Sequence, residues 1–297
     1  MKRPVVKWIL GALLVLVIGA TLVVRSVWVA TFGPGATKEE TARILVHDLK
    51  FGGRAQQKAV EYGDAILPLI QGESSGFTGL NGRNAFWIAE VLGAVTTEKS
   101  REILLDLYAR TNSIAKLTGA VGLAQQGILP DRIDGRSFLV QTVRDGPGQA
   151  ERELAIIALG KSTNHAAVPC LHDVVGKPAG YWDHAYACEA LARIGSKESI
   201  PVLRECLQSP EFYALPEGFR ALIALGDREA VPLAIARVSP ELKGYNSGFV
   251  IGELKKVTGN SYGYDGQKWK NWWESAKTSW QIPEQFLKPW DEQKDMY

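Results

Sequence analysis

Hydrophobic and polar residues between Ala190 and Leu233 follow one pattern, written twice. Ala190-Leu191-Ala192-Arg193-Ile194-Gly195-Ser196 leads to Ser199-Ile200-Pro201-Val202-Leu203. Ala221-Leu222-Ile223-Ala224-Leu225-Gly226-Asp227 leads to Ala230-Val231-Pro232-Leu233. Gly195 to Gly226 is 31 positions, and so is Pro201 to Pro232. Counted back from each Gly, an Ala stands five before it and a Leu or Ile four and one before it. Such spacings share one helical face. Each Gly suits the left-handed position that ends a helix. Ser196 and Asp227 follow where a side-chain oxygen can cap the next helix. The connection is short, so the two helices must run antiparallel. Pro201 and Pro232 then fall early in the second helix, where a missing N–H costs little. A fixed period in this range predicts stacked helix pairs.

Weaker copies lie on either side. Ala155-Ile156-Ile157-Ala158-Leu159-Gly160 leads to Ala167-Val168-Pro169-Cys170-Leu171, with Ser162-Thr163-Asn164 as a three-residue insertion in the turn. Residues 59–70 read as a worn copy with Gly63-Asp64 as the turn and Pro68 early in the helix. Pairs are predicted at 84–92 with 99–108, capped by Thr96 or Thr97, and at 114–123 with 136–143. Gly72 to Gly82 reads as a loop, and Gly176 to Gly180 as a turn. The last pair is 249–257 with 267–274, with Asp265 as N-cap of the helix that carries Trp269, Trp272 and Trp273. The expectation is an all-α solenoid of about six to seven antiparallel helix pairs. It divides into a membrane anchor over 1–32, a linker and first helix over 33–53, the solenoid over 54–276 and a tail over 277–297. Thr37-Lys38-Glu39-Glu40 opens that first helix as a capping box. The tail is polar, carries Pro283 and Pro289, and is expected to drape over the surface.

At Ala221 to Leu233 the chain resembles HEAT-like repeats of the phycocyanobilin-lyase type, whose pattern is Ala-Leu-x-x-Leu-Gly-Asp followed by Ala-Val-Pro-x-Leu. The resemblance implies a curved stack of helix pairs that usually serves as a binding surface and is enzymatic in a minority of members. Thr258-Gly259, Gly263-Tyr264-Asp265 and Trp269 to Trp273 resemble the closing segment of many bacterial HEAT-like proteins, which implies a terminal repeat. Its Trp residues are expected to cover the open end of the core. An aromatic ligand platform is the alternative.

Trp8 to Val24 runs without a charge, after Lys2, Arg3 and Lys7. As a helix, Trp8 to Trp28 rises roughly 30 Å, the thickness of the hydrocarbon core. The two Trp would sit at opposite interfaces, and Arg25 could snorkel outward. The expectation is an uncleaved single-pass anchor, with a cleaved signal peptide as the rival reading. The positive cluster precedes the apolar run, so the amino end is expected in the cytoplasm and the body outside it.

A formal charge of +2 argues against a dedicated nucleic-acid binder. Three cysteines, Cys170, Cys188 and Cys206, are too few for a disulfide scaffold. They read as small buried residues, with one disulfide or a metal site as alternatives. His184 and Cys188, four apart, share a helix face and are legitimate zinc ligands. His165 and His172 could add to them. HEAT-like metal hydroxylases carry His-Glu pairs, and this chain has no His-Glu dipeptide. Asp173 beside His172 and Asp183 beside His184 do not form pairs, since helix neighbours point about 100° apart. No nucleophile elbow, Walker motif or dinucleotide fingerprint is present. No catalytic, cofactor-binding or metal residue is assigned, and neither a cofactor nor a small-molecule substrate is expected. The expected function is a membrane-anchored scaffold or adaptor for a protein partner. Its second helices, with Lys197 to Gln208 and Arg228 to Val238 among them, would line a concave wall. The alternative is a metal-binding module or enzyme using His172, His184 and Cys188 near Ser162 to Asn164.

Overall fold

A computed structural model of the chain describes residues 54–74, 82–129, 133–177, 180–209, 212, 214–238 and 245–296. Among them are fourteen α-helices and no strand. They follow one another as seven pairs. These are α1 (Arg54–Glu61) with α2 (Leu67–Ser74), α3 (Gly82–Ala94) with α4 (Glu98–Ala109), and α5 (Ser113–Gln125) with α6 (Ile133–Asp145). Next come α7 (Gln149–Lys161) with α8 (Val168–Val175), and α9 (Tyr181–Ile194) with α10 (Ile200–Gln208). The row ends with α11 (Leu215–Ala224) and α12 (Ala230–Ala236), then α13 (Tyr245–Thr258) and α14 (Gly266–Ala276). The all-α stack of pairs expected from the 31-residue period is therefore present. The expected anchor and the capping box at Thr37 lie outside the described residues. No helix among the described residues is long and apolar enough to cross a membrane.

Local chemistry sets the helix ends. Gly195 (φ 73°) and Gly226 (φ 85°) are left-handed. At Gly226 the motif is complete, since Gly226 N–H donates to Ile223 O and Asp227 N–H to Leu222 O. Thr97 and Asp265 cap α4 and α14, accepting from the N–H groups of Ser100 and Lys268. Ser196 does not cap as expected. Its hydroxyl donates to Glu198 Oε1 instead, because a 3-10 turn separates it from α10. The inserted turn leaves Thr163 left-handed at φ 50°. Gly72 lies inside α2 rather than in a loop, since that helix continues to Ser74.

The two rows of helices are not equivalent. First helices are wrapped nearly all round: α7 buries every residue from Leu154 to Gly160, and α5 all from Leu117 to Ala124. Second helices bury one stripe, such as Leu203, Cys206 and Leu207 on α10. Each first helix from α3 to α11 packs on the next first helix, and α3 also reaches α7. The ring of Phe86 on α3 lies 6.4 Å from that of Tyr186 on α9. Three steps of a straight row, at about 8–10 Å each, would hold those helices roughly 25–30 Å apart. The row therefore curls, with the first helices inside. Small residues permit it. A Cβ on Gly160 of α7 would lie 2.6 Å from Ala190 Cβ on α9. This corrects the expectation that the second helices make the concave wall.

Candidate functional site

On α9, Trp182, Tyr186, Glu189 and Arg193 stand at i, i+4, i+7 and i+11, which is one helical face. None of the four is buried, although nine other residues of the helix are. The amino-terminal half of this stripe is aromatic. Trp182 stacks on Tyr186 at 5.8 Å and 24°, and Tyr181 meets Trp182 edge-on at 5.0 Å. Phe86 reaches across the curl to Tyr186 and touches Trp87 at 4.9 Å. The result is a five-ring cluster joining pairs two and five. Trp182 is 44% exposed, and the other four rings are half-buried. The buried indole N–H of Trp87 has no acceptor among the described residues.

A polar belt adjoins the rings. Lys161 Nζ lies 2.6 Å from Glu90 Oε1 and donates to Gln125 Oε1 at 3.1 Å, tying α3, α5 and α7 together. Both members of the ion pair are buried, with side chains 6% and 8% exposed. Tyr181 Oη–H and the Arg220 guanidinium both donate to Glu217 Oε1, at 3.0 and 3.2 Å. Glu217 Oε2 is buried and accepts from no described group. Charge pairs thus lie beside the ring-bearing residues of α3 and α9.

The carboxyl-terminal half of the stripe is covered by the chain's own tail. Beyond α14 the chain runs back through 3-10 turns at Glu284–Leu287 and Trp290–Met296. Phe286 and Trp290 join the main core. Trp290 Nε1–H donates to Glu189 Oε1 at 3.2 Å, and Arg193 holds both oxygens of Asp291 at 3.1 and 3.3 Å. The tail does not merely drape over the surface as expected, because its two aromatic rings join the core: the turn carrying Phe286 packs on α11 and the turn carrying Trp290 on α9. The Trp-rich end behaves as a terminal cover: Trp269 is fully buried, its Nε1–H donates to Gly263 O, and Trp273 is packed beneath Arg228.

The sequence's metal candidates are not gathered. His172 Nε2 pairs with Ser199 Oγ at 2.9 Å, whereas His184 Nε2 meets Lys177 O at 2.9 Å. That carbonyl can only accept, so His184 carries its proton on Nε2. His165 is exposed and Cys188 fully buried. No group of three or more potential ligands forms among the described residues. All three cysteines are free. Burial pushes the Cys188 thiol well above its ordinary value and that of Cys206 up to about 11, which keeps both protonated near neutrality. Asp173 and Asp183 turn to Lys177 (3.7 Å) and Arg152 (3.5 Å), not to the adjacent histidines. A cleft of about 560 Å³ beside them is lined by cations and anions alike, Arg144, Arg152, Lys177, Asp173 and Asp183 among them.

Several charges of the expected wall of second helices are paired internally. Arg204 holds Asp227 through two hydrogen bonds, Arg228 donates to Lys277 O, and Arg237 to the carbonyls of Leu207 and Ser209. Lys197, Glu198, Glu205, Gln208 and Glu229 remain exposed. Trp182 and Tyr186 were not singled out from sequence. The available signal was an aromatic pair four apart on the same stripe as Glu189 and Arg193, a mixture that a core stripe does not carry.

Residues 136–212, from within α6 to just past α10, match the family described as HEAT repeats. No curated protein matches the chain. The match falls on the middle of a helical stack that continues in the same manner on both sides, and the two together support a HEAT-like repeat protein.

Proposed function

We propose that this protein is a membrane-tethered scaffold whose inner face, built by the first helices, grips a segment of a protein partner. HEAT repeats generally serve as protein-interaction scaffolds, and the observation that carries the reading is the five-ring cluster with Trp182 44% exposed. Aromatic anchors beside buried charge pairs are the features that dominate binding energy at protein interfaces. The charge-free run from Trp8 to Val24, after Lys2, Arg3 and Lys7, supports a single-pass anchor with the amino end in the cytoplasm and the solenoid outside. The Ala221 to Leu233 pattern favours repeats of the phycocyanobilin-lyase type. Tethering raises the local concentration of the grip for other membrane components.

The test is a pull-down from detergent extract. A Trp182→Ala/Tyr186→Ala variant is expected to lose partners that the native protein retains, while Glu205→Lys/Gln208→Lys on α10 keeps them. The reverse pattern would return the grip to the second helices. In parallel, a chain lacking residues 1–32 is expected to leave the membrane fraction. Retention there would defeat the anchor.

A further inference from the structure

We propose that the carboxyl-terminal strap is an intramolecular ligand. Its seat on α9 recognises a segment bearing an aromatic residue followed by an acidic one, and Trp290-Asp291 occupies that seat in cis. The proposal deepens the reading of the inner face as a segment-binding surface and rests on it.

Three observations carry it. First, the strap is held by side chains. Its backbone bonds include short-range ones, Phe286 N–H to Pro283 O and Glu292 N–H to Pro289 O. Gln293, itself buried, closes the loop by donating to the carbonyls of Phe286 and Lys288. Second, the hold has the form of a recognition site. The aromatic anchor at α9, Trp290, is buried at 7% exposure, and Phe286 at 2% holds the preceding turn on α11. Arg193, its side chain only 9% exposed, presents its planar fork to the Asp291 carboxylate. Such a fork matches a carboxylate geometrically, as a lysine would not. Glu189 selects the aromatic by accepting its indole N–H, which a phenylalanine cannot supply. Third, the seat is continuous with the open cluster. Glu189 and Arg193 follow Tyr186 by one and two turns on the same face of α9. A partner segment long enough to cover Trp182 and Tyr186 therefore runs into the strap.

The tether gives the strap an effective concentration on the order of millimolar. A free segment making only the same contacts loses that competition. One that also covers Trp182 and Tyr186 wins it. The strap thus sets a threshold that admits aromatic–acidic segments only when they reach the exposed rings.

The experiment measures fluorescence anisotropy of a labelled synthetic peptide with the sequence of residues 282–296, added to the full-length protein. The native chain is expected to bind it weakly, because the seat is filled. Trp290→Ala/Asp291→Ala is expected to bind it at least tenfold more tightly, and the same peptide carrying Asp291→Lys is expected to lose that gain. Circular dichroism checks that the double variant keeps its helices. Should it unfold, Asp291→Asn alone retains the Trp290 anchor and is expected to gain a few-fold. A folded variant that binds the peptide no better than the native chain overturns the proposal. So does equal binding of the Asp291→Lys peptide. This readout does not use Trp182, so a failure of the pull-down and a failure of the strap are distinguishable.

Discussion

The first helices and the second helices come from the same repeated pattern and end in opposite roles. First helices carry Ala and Gly where they face one another, so their backbones close up and the row curls around them. Gly160 against Ala190 is such a contact between α7 and α9. Second helices bury one stripe and commit their charges to neighbours, as Arg204 does with Asp227. The side that closes up becomes the inner face, and side chains left on it converge from distant pairs. Phe86 and Tyr186 are a hundred positions apart and their rings are in contact range. Curvature, and with it the location of a binding face, is decided by side-chain size on one row.

The contrast can be broken most severely at the tight seam. Gly160→Leu forces a branched side chain where even a Cβ meets Ala190, and it is expected to cost about 3 kcal/mol or more. Gly252→Ala on α13, where an added Cβ meets nothing within 4 Å, serves as the comparison. It is expected to be neutral or to stabilise by about 0.5–1 kcal/mol through helix propensity. Thermal unfolding of both checks the pair, and equal melting points would mean that the first row is not closely packed.

A comparable effect is expected at the buried ion pair of Glu90 and Lys161. Lys161→Ala leaves Glu90 enclosed without its cation, which costs about 3–5 kcal/mol when a pair is fully desolvated. Lys161→Met with Glu90→Leu is expected to recover most of the loss, since apolar replacements of a buried pair are often neutral. Urea midpoints of the single and double variants sharpen the comparison. A single variant as stable as the native chain would show that water reaches the pair.

The smallest effect belongs to the second row. Arg204→Ala removes two hydrogen bonds to Asp227, but the Arg204 side chain is 39% exposed. Solvent reaches the guanidinium and the Glu229 N–H still donates to the buried Asp227 carboxylate, so a loss of about 1–3 kcal/mol is expected. If Arg204→Ala destabilised as much as Lys161→Ala, the two rows would not differ as described.

Much of this architecture was legible in the amino-acid order. The recurrence of Ala, Leu, Gly and Pro at 31 positions identified the stack. Gly195 and Gly226 marked helix ends because only a residue without a Cβ takes that backbone easily. Asp265 and Thr97 announced caps that the structure contains. These are local consequences of steric and hydrogen-bonding rules acting within a few residues. Which row lies inside was not legible, because it depends on how small residues from different pairs add up over several steps. The aromatic cluster was hidden for the same reason: Phe86 and Trp87 read as one helix's apolar side until α9 is brought against them. His184 and Cys188 share a helix face as their spacing requires. The histidine's partner is a carbonyl in the preceding turn, which spacing does not encode. The amino-acid order by itself determined the helices, many of their ends and their pairing, since those depend on near neighbours along the chain. Only the tertiary structure decided the inner face and the strap's seat, since both arise where residues about a hundred positions apart compete for the same space.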